Sequence, residues 1–183
     1  WMDVAVGQNH TCGLQTDGTL WCWGDNVSGE CGLGFVSDED DYVSEITQVG
    51  TDDDWVDINA HRRETCGIRE DGSIWCWGNR VNIDSETEAT PSPTDMSDGR
   101  TWLQISAGFR SQCAIDDTNA LYCRGSAIYG YIGGFGDPPP FYPDWELIDD
   151  EHTWTQVSSG AKHFCAIAED APGVWCWGQT FDG

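Results

Sequence analysis

Four short runs in which apolar and polar residues alternate, each opened by a tryptophan, set the rhythm of this chain. They are Trp1-Met2-Asp3-Val4-Ala5-Val6, Trp55-Val56-Asp57-Ile58-Asn59-Ala60, Trp102-Leu103-Gln104-Ile105-Ser106-Ala107 and Trp154-Thr155-Gln156-Val157-Ser158. Period-two alternation over so few residues marks a half-buried strand, here an inner strand. Eleven residues beyond each tryptophan stands a cysteine, at positions 12, 66, 113 and 165, so the unit recurs at 54, 47 and 52 residues. Around each cysteine lies one repeated stretch: His10–Gly24, Glu64–Gly78, Ser111–Gly125 and His163–Gly178. A period of this size made of strands predicts propeller blades.

The repeated stretch reads as a β-hairpin. Its turn is Thr16-Asp17-Gly18 in the first copy and Glu70-Asp71-Gly72 in the second, and the third copy ends the turn in Asn119. Glycine and asparagine suit the left-handed residue that closes a three-residue turn. This turn places residue 15 opposite 19, and therefore Cys12 opposite Cys22. The fourth copy carries one more turn residue, Glu169-Asp170-Ala171-Pro172, and its cysteines are one residue further apart, so Cys165 still faces Cys176. Cys66/Cys76 and Cys113/Cys123 complete the set. The expectation is four cross-strand disulfides, each contributing roughly 2–3 kcal/mol by loop entropy, against the alternative of buried thiols. Cys31 is left over, as a free thiol or the donor of an intermolecular bond. The indoles flanking the second cysteine, such as Trp21 with Trp23 and Trp75 with Trp77, share a face and are expected between blades.

Composition narrows the class. The 183 residues include eleven Trp and twenty-two Gly, which suit short strands and tight turns, and no sustained 3.6-residue apolar stripe is present. Thirty-two acidic against eight basic residues give a net charge of −24, which argues against nucleic acid as a partner. No apolar run approaches the ~20 residues of a membrane helix, so no membrane insertion is expected. The nine cysteines lack paired C-x-x-C knuckles for zinc and point to an oxidising compartment, hence a secreted or cell-surface protein whose leader is not in the sequence. Calcium is the one ion that suits the acidic clusters, but no EF-hand spacing exists and solvated runs are the reading adopted, with no metal or other cofactor.

Four motif segments carry a family resemblance: Val4-Ala5-Val6-Gly7, His10–Leu14, Asp17-Gly18 with Leu20–Gly24, and Asn26–Gly29 with Gly32-Leu33-Gly34. This pattern resembles repeats of the regulator of chromosome condensation family, and in particular its extracellular, cysteine-containing members. The resemblance covers all four units and implies an all-β fold, a β-propeller of four-stranded antiparallel blades, commonly seven in the family. Four repeats are present, at 1–54, 55–101, 102–153 and 154–183, the last incomplete, making either a four-bladed propeller or part of a larger one. Outer strands are expected at Tyr42–Val49, weakly at Pro91–Met96, and at Trp145–Ile148; Val81–Thr90 reads as a polar insertion and Tyr129–Pro143 as a surface loop rich in aromatics. No motif for exchange on a small GTPase is found.

The meander sorts charge by face. The loops before each first cysteine, Gly7–His10, His61–Glu64, Gly108–Ser111 and Gly160–His163, hold Arg62, Arg63, Arg110 and Lys162, with Phe109 beside Arg110. These five are the candidate partner-binding residues, on a basic mouth. His10 and His163, just inside strand starts, read as structural. Asp38–Asp41, Asp52–Asp54 and Asp149–Glu151 are expected on the opposite, acidic face. Asn9 and Asn26 head glycosylation tripeptides. No catalytic residue is assigned. The expected function is an extracellular binding or assembly module docking a protein, an anionic glycan or other copies of itself, with head-to-tail stacking into a filament as one form. The alternatives are a hydrolase or lyase acting in the mouth, for which Glu64 is the lone carboxylate of those loops, and a secreted enzyme-inhibitor or glycan-binding propeller.

Overall fold

A computed structural model describes residues 1–39, 41–81, 87–127 and 141–179. The described residues form fifteen strands and no helix. They are β1 (Asp3–Val6), β2 (His10–Leu14), β3 (Leu20–Asp25), β4 (Tyr42–Gln48), β5 (Trp55–His61), β6 (Glu64–Arg69), β7 (Ile74–Val81), β8 (Thr87–Asp95), β9 (Trp102–Ala107), β10 (Ser111–Asp116), β11 (Leu121–Ser126), β12 (Phe141–Asp149), β13 (Trp154–Ser159), β14 (His163–Ala168) and β15 (Trp175–Gly178). Each repeat is one antiparallel sheet in chain order: β1–β4, β5–β8, β9–β12 and the three-stranded β13–β15. This is the all-β blade architecture expected from the repeats. The sheets fall into two compact units, the first of Trp1–Arg80 and Thr87–Thr101, the second containing Trp102–Gly183.

The hairpin register is as the turn chemistry dictates. Cys12 faces Cys22, Leu14 faces Leu20, and the Gln15 amide donates to Thr19 at 2.9 Å. The turns close on Gly18 (φ +79°), Gly72 (φ +79°) and Asn119 (φ +65°). The longer fourth turn keeps Cys165 opposite Cys176. All four pairs are bonded, with Cα atoms 4.0–4.1 Å apart, the close spacing of a non-hydrogen-bonded antiparallel pair.

Within the first unit one sheet lays its front on the back of the next. Cys12, Leu14, Leu20 and Cys22 meet Trp55, Ile58 and Trp77 in one core. The second unit repeats the arrangement with Cys113, Ile115, Leu121 and Cys123 against Trp154, Val157 and Phe164, with Trp177 at the margin. Of the indoles flanking the second cysteine, Trp77 is fully buried between sheets and Trp177 packs there in part, whereas Trp21, Trp23 and Trp75 are half-buried and Trp175 is exposed. The N–H of the opening tryptophan also ties sheets together: Trp55 donates to Gly18 at 3.1 Å and Trp154 to Asn119 at 3.0 Å.

The outer strands depart from expectation. β8 begins four residues before Pro91 and takes in Thr87–Thr90, which the sequence assigned to a polar insertion. Both prolines are tolerated there because the sheet's last strand pairs on one side only. β12 begins at Phe141, so Phe141 and Tyr142 belong to a strand and not to a surface loop. Tyr129, Tyr131 and Phe135 lie outside the described residues. In the third sheet Arg124, at the position held by tryptophan elsewhere, is buried; it donates to Gln112 at 2.7 Å and its guanidinium lies 4.4 Å over the Trp145 ring.

Candidate functional site

The turn joining the first and second strands is held the same way in every sheet. The carbonyl of its third residue accepts from the backbone amide just past the third strand's glycine: Asn9 from Asp25 at 2.9 Å, Arg63 from Asn79 at 2.7 Å, Arg110 from Ser126 at 2.8 Å and Lys162 from Gln179 at 2.8 Å. The residues preceding those amides, Gly24, Gly78, Gly125 and Gly178, have φ of +107°, +93°, +103° and +121°. A Cβ on any of them would stand 2.2–2.6 Å from the carbonyl it sits under. Glycine is required here by both conformation and space. This backbone clamp leaves the third turn residue's side chain as the variable element, and in three of four sheets it is a cation: Arg63, Arg110 or Lys162. Gly125→Ala is expected to cost about 1–3 kcal/mol, and hydrogen exchange at the Ser126 amide reads it directly, since that amide loses protection if the clamp opens.

We call this end of each sheet the clamp end and the other the hairpin end. In the first unit the clamp end carries Arg62 and Arg63, both exposed. Arg62 is left-handed (φ +52°) and its carbonyl accepts from Gln8 of the adjoining turn at 2.8 Å. In the second unit Lys162 is exposed, while Phe109 and Arg110 (φ +61°) are half-buried with the guanidinium 6.0 Å from the phenyl ring.

The first unit's clamp end is not purely basic, and this corrects the expected sorting of charge. Asp25, at the end of β3, pairs with Tyr42, at the start of β4, so the connection between them both leaves and returns at the clamp end. Asp38 and Glu39 therefore lie beside Arg63 and not on the opposite face. With Asp25, Val27, Ser28 and Ser37 they line a cleft of about 570 Å3 whose one cation is Arg63. The spacing of these acids along the chain carries no sign of this arrangement.

Beneath the cleft runs a buried polar network that the sequence did not reveal. Thr65 donates its hydroxyl to the Glu30 carbonyl at 2.9 Å, and the Trp77 indole donates to the same oxygen at 2.9 Å. With its proton so committed, Thr65 accepts from His10 Nε2 at 2.8 Å, which fixes the imidazole as the Nε2–H tautomer. Burial pushes the His10 imidazole down to about 4. The fully buried Glu30 carboxylate accepts from the Ser28 amide at 2.7 Å and lies 3.8 Å from Arg63 Nε; burial raises its pKa.

At the hairpin end the acids have partners. In the first unit Arg69 reaches Asp52 at 2.6 Å and Asp54 at 3.6 Å while its guanidinium lies 4.6 Å from the Trp55 ring and 4.4 Å from that of Trp75. The second unit places His152 against Trp154 and Trp175, with Asp149 bonded to its Nδ1 at 2.6 Å, an interaction that raises the imidazole's pKa.

Two other candidates resolve differently. Asn26 is fully buried, its Nδ2 donating to Phe35 O and its Oδ1 accepting from the Cys31 amide, each at 2.9 Å. The folded chain has no room for a glycan there, so Asn26 is withdrawn as a glycosylation site; Asn9 is exposed. Cys31 is free and fully buried, and burial pushes its thiol up to about 12, which leaves it protonated and a poor nucleophile. Among the described residues Glu64, Cys66 and Cys76 come close enough to share a metal ion, but the two sulfurs are bonded to each other.

Comparison with known proteins accords with this geometry. Residues 3–30 match the Regulator of chromosome condensation (RCC1) repeat. The chain is 26% identical over 181 residues to the ultraviolet-B receptor UVR8 of Arabidopsis thaliana, a match covering 96% of this chain and 40% of UVR8. Among solved structures it resembles human WBSCR16, with a TM-score of 0.82 at 20% identity, covering 96% of this chain and 47% of that one. It also resembles Prp20p of Saccharomyces cerevisiae, with a TM-score of 0.76 at 19% identity, covering 98% and 44%. The chain thus spans less than half the length of these relatives, and the structural likeness is one of fold.

Proposed function

We propose that this chain, built of RCC1-type repeats, is a protein-interaction module that docks partners through the clamped turns. The observation that carries the reading is the clamp itself. Four glycines spend their conformational freedom on holding a turn whose outward side chain contributes nothing to the clamp, and three of those side chains are cations. Side chains held on a fixed backbone lose little entropy on binding, which favours their use in recognition. Prp20p, of the same fold, was studied for its binding to Gsp1p and histones.

The partner-binding residues are Arg62 and Arg63 in the first unit and Phe109, Arg110 and Lys162 in the second. They take a partner with an acidic surface, whether another protein, an anionic glycan or the acidic residues of another copy, and a net charge of −24 turns nucleic acid away. In the first unit Asp25, Asp38 and Glu39 beside Arg63 restrict the partner to one of mixed charge, since a purely anionic surface meets repulsion there. The four disulfides support a setting outside the cell or on its surface, and in this reading the module works by binding and without catalysis.

The test uses Arg63→Glu, Arg110→Glu and Lys162→Glu together. Binding to an immobilised acidic peptide at low salt is expected to fall at least tenfold relative to the unmodified chain, about 1.4 kcal/mol. Equal affinity for the two proteins, with the near-ultraviolet spectrum of the tryptophans unchanged, rules the clamped turns out as the docking surface.

A further inference from the structure

In each unit the connection from one sheet to the next runs past a box made of two indoles, and in each a basic side chain closes the box. The first unit makes it from Trp55, which opens β5, and Trp75, the residue before the second cysteine of that sheet. Arg69 lies over both rings, at 4.6 and 4.4 Å, and reaches Asp52 and Asp54 in the connection from β4. The second unit uses the same two positions, Trp154 and Trp175, with ring centroids 6.4 Å apart. A box of this kind does not require a three-stranded sheet, since the first unit forms it in a sheet of four.

The second box is closed from the other side. Arg69 is the register partner of Trp55, but the register partner of Trp154 is Ala168, whose methyl group is too short to reach over the rings. His152, in the connection between β12 and β13, takes the place, with its ring 5.8 Å from Trp154 and 5.4 Å from Trp175. The acid has moved too: Asp149, at the end of β12, accepts from His152 Nδ1 at 2.6 Å and from the Trp154 indole at 3.1 Å. The bonds that join the third sheet to the fourth follow directly. Thr153 donates its amide to Asp170 at 2.9 Å, Trp154 donates its amide to Asn119 O at 3.0 Å, and Asn119 Nδ2 donates to Trp154 O at 2.9 Å. The ends of the elements that meet here carry acids alone: Asp149, then Asp150 and Glu151 in the connection, Glu169 and Asp170 before β15, and Asp116 and Asp117 in the third sheet's hairpin. The bond to Asp149 holds the ring's pKa above 6.5, and the charges of Asp149, Asp170 and Glu151 act in the same sense.

We propose that His152 is a pH-sensitive fastener of the joint between the third and fourth sheets, closed while its imidazole is protonated and released when the proton leaves. As imidazolium the ring is attracted by two indoles and makes a charge-assisted bond to Asp149; as neutral imidazole it keeps only an ordinary hydrogen bond. Below pH 6.5 the ring is charged in the folded and unfolded chain alike, and the fastening is complete. As the pH rises through the higher pKa of the folded chain, that stabilisation is lost. The first unit's box holds a guanidinium, which stays charged throughout, so its fastening does not change. Acid therefore tightens the second unit at the hairpin end, apart from the clamped turns and their docking function.

Hydrogen exchange tests this with two matched amides. Trp55 and Trp154 each open a sheet and donate to the hairpin turn of the sheet before, to Gly18 at 3.1 Å and to Asn119 at 3.0 Å. After correction for the intrinsic rate, protection of the Trp154 amide is expected to fall about two- to fivefold between pH 6 and pH 8.5, and that of Trp55 to hold. In the His152→Gln variant, with its fold checked by the near-ultraviolet spectrum, Trp154 protection is expected to be low and equal at both pH values. Nuclear magnetic resonance titration of the unmodified chain is expected to place the ring's midpoint above 6.5. A midpoint at or below 6.5 overturns the proposal. So does a Trp154 amide that loses no more protection than Trp55, or a His152→Gln variant that keeps the pH dependence of the unmodified chain.

Discussion

Trp77→Ala is expected to destabilise the first unit by about 3–5 kcal/mol, more than any other single truncation in it. The indole is fully buried between two sheets, packed edge-on against Trp55 at 5.8 Å, and it fills the space under Gly32, where an added Cβ would stand 2.8 Å from its Nε1. Removing it opens a cavity bounded by backbone on one side and a disulfide-stapled hairpin on the other, neither of which can collapse into it. Its N–H also shares the Glu30 carbonyl with Thr65, so the substitution strips one of two donors from a buried acceptor. A urea titration reads the cost as a fall in midpoint. Trp75→Ala in the same strand supplies the comparison: Trp75 is half-buried and packs on the Arg69 guanidinium, and its loss should cost clearly less. Equal midpoints for the two variants would remove the inter-sheet role given to Trp77.

The second large effect is on stability below neutral pH. Burial holds His10 near 4 in the folded chain, against 6.5 when exposed; Asp25 and the Arg62 backbone act in the opposite sense but do not offset it. Above pH 6.5 the imidazole is neutral whether folded or not, and stability does not depend on it. Between 6.5 and about 4 the unfolded chain takes up a proton that the folded chain refuses, so stability falls as pH falls, levelling off below about 4. At about 1.4 kcal/mol for each pH unit the full loss is of order 3 kcal/mol. Glu30, raised by burial, works the other way, because it favours the folded chain as acid is added. His10→Gln isolates the histidine, since an amide can still donate to Thr65 but does not titrate. The fall in urea midpoint between pH 7 and pH 4.5 should be markedly smaller in this variant than in the unmodified chain. Identical pH slopes would mean that His10 is already protonated in the fold or that another group governs the loss.

What the sequence revealed and what it hid divide along a physical line. The sheets and their register were legible because two independent local rules agree: turn length sets the pairing, and each cysteine separation changes with its turn. The end of the sheet at which Asp38 and Glu39 lie was not, because it depends on where β4 begins, and the outer strands carry no register mark of that kind. The pairing of Asp25 with Tyr42 decides the matter and leaves no trace in spacing. Asn26 shows a different limit: a glycosylation tripeptide is a pattern of three residues, while the carbonyl of Phe35 that claims its amide lies nine residues on. The clamp was half visible. A glycine after the second cysteine in all four copies is plain in the sequence, but its purpose needs a positive φ and a carbonyl less than 3 Å from the missing Cβ.

Because the clamp grips a turn by its backbone and asks nothing of the side chain it displays, a blade of this kind keeps its inheritance and its vocabulary in separate places. Asparagine, two arginines and a lysine already occupy the one position without disturbing the hydrogen bond beneath. If the clamped turns dock partners as proposed above, a lineage that duplicates such blades can change what each one recognises by single substitutions, with the glycine underneath staying as it was. Partner choice can drift quickly on a scaffold that hardly changes.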